Sequence, residues 1–214
     1  MSASLALYGI LAALFVGAVS PGPSFVLVSR ISVKSSRTDG LAAALGMGVG
    51  GAIFATLAVL GLVTILLQVE WLYLSLRVLG GLYLVYLGIR IWRGAPEPLD
   101  VSVSDVSVTR PSTALRSFAL GLITQLSNPK TAIVYASIFA ALLPTSAPTW
   151  LFLSLPPLVL ALETSWYAVV AVVFSAQRPR SVYLRSKTWV DRVAGAVMGA
   201  LGARLLSETF HTRN

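Results

Sequence analysis

The chain has 214 residues, 56% of them hydrophobic and only 11% charged, against roughly 25% charged in an ordinary soluble domain, so there is too little polar surface to cover a water-soluble globule. It has no cysteine, which excludes disulfides, thiolate catalysis and iron–sulfur clusters, and its one histidine, His211, lies in the polar C-terminal tail, so neither a metal nor a cofactor is expected. The net charge of +8 is read as a signal of membrane topology rather than of nucleic-acid binding.

Apolar stretches of about 20 residues recur along the chain, the length that crosses a bilayer. Six spans are predicted, at Leu5–Val28, Leu41–Leu67, Trp71–Trp92, Arg116–Leu143, Trp150–Ser175 and Trp189–Leu206. The first lacks a positive leading segment and a small-residue cleavage site, and is read as a mature helix rather than a signal peptide. It contains a helix-breaking stretch, "SPGPS", at 20–24. A first loop with Arg30, Lys34 and Arg37 follows, then a slim second span carrying Gly46, Gly48, Gly50 and Gly51. The second loop, Gln68–Glu70, has no basic residue. The third, from Gly94 to Ser112, is rich in Pro, Ser and Asp and reads as a flexible linker with Arg90, Arg93, Arg110 and Arg116 at its edges and interior.

The fourth span carries a second break, "SNPKT", at 127–131. The fourth loop, Pro144–Thr149, again lacks basic residues. The fifth holds Arg178, Arg180, Arg185, Lys187 and Arg192. Basic residues thus gather in loops one, three and five, which places those loops in the cytoplasm and both termini outside. Trp71, Trp92, Trp150 and Trp189 fall at span ends, as an aromatic belt would.

The whole chain, 1–214, reads as a single membrane domain. A first three-helix half (1–93) and a second (113–214) are joined by the cytoplasmic linker 94–112. At an offset of 114 residues Gly81 meets Gly195, Leu87 meets Leu201, Gly88 meets Gly202 and Arg90 meets Arg204. At an offset of 106, Gly22-Pro23-Ser24 meets Asn128-Pro129-Lys130. With three spans per half, a duplication must be inverted, and inverted repeats whose broken helices correspond are a transporter architecture.

Both breaks place Pro at the first position of a restarting helix, with Gly22 or Asn128 as the cap. A restart leaves first-turn N–H groups without intrahelical partners, which is tolerable at membrane depth only in protein or beside a watery cavity. Such an end attracts anions, and Lys130 adds positive charge. The plainer alternative is a pair of proline kinks. Glu163 stands in the middle of the fifth span, where a carboxylate costs about 3 kcal/mol unless it is protonated, paired or wet. Three roles are open to it: relaying protons, holding an ammonium, or pairing with Lys130. Trp166 and Tyr167, at i+3 and i+4, share its face, lining a pocket or packing. Thr56, Thr124, Gln125 and Ser137 are candidates for hydrogen bonds between helices. No catalytic constellation and no phosphate-cradling Gly-x-x-x-x-Gly-Lys loop is present, so an enzyme is not expected.

Taken in order, "SPGP" (20–23), "DGLAAALGMGVG" (39–50), "LGGLYLVYLGIRIWR" (79–93), "FALGLITQLSNPKTAIVY" (118–135), Glu163 before an aromatic, and "DRVAGAVMGALGARLL" (191–206) resemble the LysE/RhtB family of bacterial amino-acid exporters. The resemblance runs from about Leu5 to Leu206. It implies an all-α, six-span inner-membrane protein that exports an amino acid or related zwitterion, by antiport against protons. The family's Pro-Gly-Pro motif carries onto Pro21, Gly22 and Pro23, and its Asn-Pro-Lys motif onto Asn128, Pro129 and Lys130. Glu163 stands where many relatives have Asp, which keeps the carboxylate on a longer arm. The expected site is therefore Pro21, Gly22, Pro23, Ser24, Asn128, Pro129, Lys130 and Trp166 for substrate or gating, and Glu163 for proton coupling or the ammonium. Expected partners are the amino acid, protons and the lipid bilayer, with self-association open and no nucleic acid. The rival reading is a channel or structural membrane subunit without proton coupling.

Overall fold

A computed structural model describes residues 2–68, 70–97, 113–144 and 147–211. Most of the expected linker, 98–112, lies outside the described residues. The described residues form eight helices and no strand: α1 (Ala3–Val19), α2 (Pro23–Lys34), α3 (Arg37–Gln68), α4 (Glu70–Gly94), α5 (Ala114–Leu126), α6 (Pro129–Leu142), α7 (Thr149–Phe174) and α8 (Gln177–His211). Two stretches, Arg37–Gly61 and Thr149–Phe174, are each long and apolar enough to cross a membrane. The α1–α2 pair makes a third if its two pieces count as one span, bent by 57°.

The helix ends follow from local chemistry. Ser2 and Thr113 cap α1 and α5, their side chains accepting the Leu5 and Arg116 N–H. α1 stops at Ser20, because the residue before a proline is pushed out of the helical region, and Pro23 opens α2 at its first turn. Ser36 accepts the Asp39 N–H at 3.0 Å, while the Asp39 carboxylate accepts from the Ser35 and Ser36 hydroxyls, a reciprocal cap at the start of α3. α7 runs on through Pro156 and Pro157.

Two expectations change. The basic residues expected in a first loop lie in helices: Arg30 and Lys34 in α2, Arg37 opening α3. The fifth loop is likewise absent, since α8 begins at Gln177 and carries Arg185, Lys187 and Arg192 within it. Arg and Lys are good helix formers, so leaving the hydrocarbon need not end a helix.

Glycine sets the packing. A methyl group on Gly88 would fall 2.6 Å from the Gly195 carbonyl oxygen, and one on Gly202 2.6 Å from that of Gly81. α4 and α8 therefore cross antiparallel at backbone contact, as small residues permit in membranes. The two contacts, 81 with 202 and 88 with 195, exchange under the 114-residue offset. In α3, Gly46 abuts the Phe118 carbonyl of α5, and Gly48 and Gly51 abut Thr164 and Glu163 of α7. Two apolar clusters result. One joins Ile10, Leu14, Ile138, Phe139, Leu151 and Leu155; the other joins Phe25, Val28, Met47, Tyr167, Val170 and Phe174. Along the chain, the breaks in α1–α2 and Glu163 in α7 fall between residues of the first cluster and residues of the second. Trp71, Trp92, Trp150 and Trp189 are exposed.

Candidate functional site

Gly22 is the α2 cap in extended backbone (φ −150°, ψ −171°), and Pro23 is the first helical residue. Asn128 caps α6, its Oδ1 accepting the Lys130 N–H at 3.1 Å, with Pro129 at the first helical position. The two restarts meet. Asn128 Nδ2 donates to Ser24 Oγ at 3.1 Å, and Ser24 Oγ donates to Gln125 Oε1 at 2.7 Å. Gln125 Nε2 in turn donates to Glu163 Oε2 at 2.6 Å, and the Tyr135 hydroxyl donates to Glu163 Oε1 at 2.7 Å. A continuous chain of side-chain hydrogen bonds thus links α6, α2, α5 and α7. Its members are buried: Gln125 is 1% exposed, Glu163 3% and Asn128 5%. Burial at this depth demands such partners, since an unpaired polar group there costs several kcal/mol, on the order of the group's full desolvation.

Lys130 reaches across to the first break. Its Nζ donates to the carbonyl oxygens of Ser20 (3.2 Å) and Gly17 (3.4 Å), at the C-terminal end of α1. Those carbonyls are among the last of the helix, where a cation is favoured. The Lys130–Glu163 ion pair is not formed: each of the two charges is held by neutral partners instead. Of the three roles open to Glu163, pairing with Lys130 is thereby removed in this conformation.

Ser24, Gly22, Asn128, Lys130, Glu163 and Tyr167 line one cavity of about 30 Å³, room for about one or two water molecules. Of the two aromatics that follow Glu163, Tyr167 lines this cavity, with Phe25 and Tyr135, and Trp166 does not. Trp166 donates from Nε1 to the carbonyl of Ala18, a residue of the cavity wall, at 3.0 Å and meets Phe15 edge-on. Helical spacing gives a shared face but not the side of the face on which a neighbour stands. A second cavity, about 1170 Å³, opens onto the same breaks. Pro21, Pro23 and Pro129 line it, with Arg30, Arg90, Arg93 and Lys187. Residues expected in three separate basic loops thus converge on one vestibule ending at Gly22, Asn128 and Lys130. At its wall, Lys187 pairs with Asp191 at 2.7 Å and donates to the Ala95 carbonyl at 3.3 Å. Among the described residues no group of three or more His, Asp or Glu is placed to hold a metal.

Sequence reasoning reached Gln125 only as a weak interhelical candidate, and it did not single out Tyr135. Both are neutral polar side chains in an apolar run, and nothing local reveals that their partner is Glu163.

The LysE type translocator family matches residues 15–209. The chain is 35% identical to the threonine efflux protein of Salmonella typhi over 195 residues, 89% of this chain and 92% of that one. It is 34% identical to the threonine efflux protein of Escherichia coli (strain K12) over 191 residues, with the same coverage. It is 29% identical to an uncharacterized membrane protein of Haemophilus influenzae over 191 residues, 89% of this chain and 90% of that one. No solved structure matches. The matched span takes in both helix breaks, Glu163 and the α4–α8 seam, and the chain belongs to the LysE type translocator family.

Proposed function

We propose that this protein exports threonine or a similar small amino acid from the cytoplasm, driven by protons moving inward at the same site. The observation that carries the reading is the hydrogen-bond chain joining both helix restarts to Glu163, with Lys130 at the same cavity. A zwitterion needs a positive partner at one end and a negative one at the other. The restart N-termini with Lys130 supply the first, and ionised Glu163 the second. The names of the threonine efflux relatives support the substrate class.

In this reading six spans form a 3+3 inverted repeat in the inner membrane, with the basic vestibule facing the cytoplasm and both termini outside. The reciprocal glycine contacts between α4 and α8 support the repeat. The wide vestibule and the narrow inner cavity correspond to a site open toward the cytoplasm and closed beyond by Leu14, Ile138, Phe139 and Leu155. Ammonium binding and protonation exclude each other on one carboxylate, which is the requirement for antiport. The test uses inverted membrane vesicles with an acid lumen. The wild type accumulates labelled threonine against its gradient, and Glu163→Gln does not. Accumulation by Glu163→Gln at the wild-type rate contradicts the coupling role. Unchanged downhill flux together with no wild-type accumulation identifies a channel instead.

A further inference from the structure

Every donor in the buried chain points toward Glu163. The Asn128 amide donates to Ser24, Ser24 to the Gln125 carbonyl oxygen, and the Gln125 amide nitrogen to the carboxylate. Tyr135 donates to the other carboxylate oxygen. This polarity suits an ionised carboxylate, which only accepts. Once Glu163 Oε2 carries a proton, the acid O–H and the Gln125 N–H face each other as two donors. A tyrosine hydroxyl rotates freely and can make room for a proton on Oε1, but an amide has fixed ends, so a proton on Oε2, the oxygen that Gln125 holds, requires Gln125 to turn over.

We propose that Gln125 is the coupling switch of the site, its amide reversing end for end when a proton arrives on Glu163. The inference rests on the proton-antiport reading above. In the protonated arrangement Gln125 Oε1 accepts the Glu163 O–H, and Gln125 Nε2 donates to Ser24. Ser24 Oγ then receives two amide hydrogens, from Gln125 and Asn128, which fill its two lone pairs. Its own hydrogen leaves Gln125 and turns into the cavity that Ser24 lines with Tyr167 and Lys130. No covalent bond changes other than the carboxylic O–H, formed with a proton from outside and broken by release to water in the vestibule.

The consequence reaches beyond Glu163. In the ionised arrangement the cavity offers a carboxylate to an ammonium. In the protonated arrangement the charge is gone and the Ser24 hydroxyl donates toward the cavity, where an ammonium needs acceptors. The switch therefore carries the protonation state of α7 to the helix break of α2, and makes exclusion of proton and substrate stricter than loss of charge alone. The titratable and charged groups facing Glu163 are Tyr135 of α6, Tyr167 of α7 and Lys130 of α6, which lines the same cavity. α3 presents Gly51, α5 presents Gln125 and α2 presents Ser24.

The test compares wild type, Gln125→Met, Ser24→Ala and Glu163→Gln in proteoliposomes, counting protons moved per threonine moved. Both relay variants are expected to lower this ratio by at least about twofold, whatever their effect on turnover; a merely structural role would lower turnover and leave the ratio intact. Glu163→Gln is expected to abolish proton movement. An unchanged ratio in whichever of Gln125→Met and Ser24→Ala folds, with Glu163→Gln uncoupled, overturns the switch and leaves the antiport reading standing. Full coupling in Glu163→Gln overturns the antiport reading itself.

Discussion

At Gly22 and at Asn128 a helix stops and restarts on a proline, yet the two breaks bring opposite chemistry to the site. The first presents backbone: the carbonyls of Gly17 and Ser20 at the end of α1, and a glycine cap with no side chain. The second presents side chains: Asn128 caps its own helix and bonds Ser24, while Lys130 fills the carbonyls of the first break. One break is a socket and the other a plug. The same backbone device appearing twice therefore does not make the two sites interchangeable, and substitutions should separate them.

The largest effect is expected at Lys130. Lys130→Ala removes the cation and the partner of two part-buried carbonyls, and should weaken threonine binding by about 100-fold. The amide of threonine, which has no carboxylate, should lose much less; equal losses for both ligands would remove the carboxylate assignment. Next comes a packing contrast away from either break. Gly88→Leu drives a side chain into the Gly195 backbone of α8 and should cost about 3 kcal/mol or more, seen as a lower melting temperature in detergent. Retention of wild-type stability would mean that the seam is looser than described.

Asn128→Ala removes the α6 cap and the bond to Ser24, a loss of about 1 kcal/mol of stability for the cap alone. Gly22→Ala should do least. Its backbone is extended, a conformation any residue adopts, and the added methyl would lie 3.5 Å from Lys130 Nζ, an ordinary contact. Its stability should fall by about 0.5 kcal/mol, less than for Asn128→Ala, because alanine is a poorer cap than glycine but no side-chain cap bond is lost. A Gly22→Ala protein less stable than Asn128→Ala would reverse the assignment of socket and plug.

Both breaks were legible in the sequence because Pro after Gly or Asn is a local signal whose geometry needs no tertiary context. Glu163 was legible because a carboxylate in an apolar run is costly wherever the chain folds. The partners of Glu163 were not, because Gln125 and Tyr135 stand 38 and 28 residues away from it in sequence, and neutral polar side chains carry no such cost signature. Trp166 shows the limit of periodicity: it shares a face with Glu163 but turns to Ala18, while its neighbour Tyr167 takes the cavity. The basic fifth loop failed for a different reason. Charge does not by itself end a helix, and α8 carries Arg185, Lys187 and Arg192 while helical. The glycine matches at offset 114 pointed to similar halves, and the structure adds that these glycines touch one another across the α4–α8 crossing.

In the proposed cycle, substrate and proton compete for Glu163 at a site formed by both breaks. Proton release on binding tests it without vesicles or gradients. Purified protein in weakly buffered detergent at a pH where Glu163 is protonated is mixed with threonine, and the pH change is recorded. The wild type is expected to release protons, saturating with threonine, and Glu163→Gln is expected to release none. Threonine binding to the wild type across the pH range with no proton release, or equal release by Glu163→Gln, would contradict it.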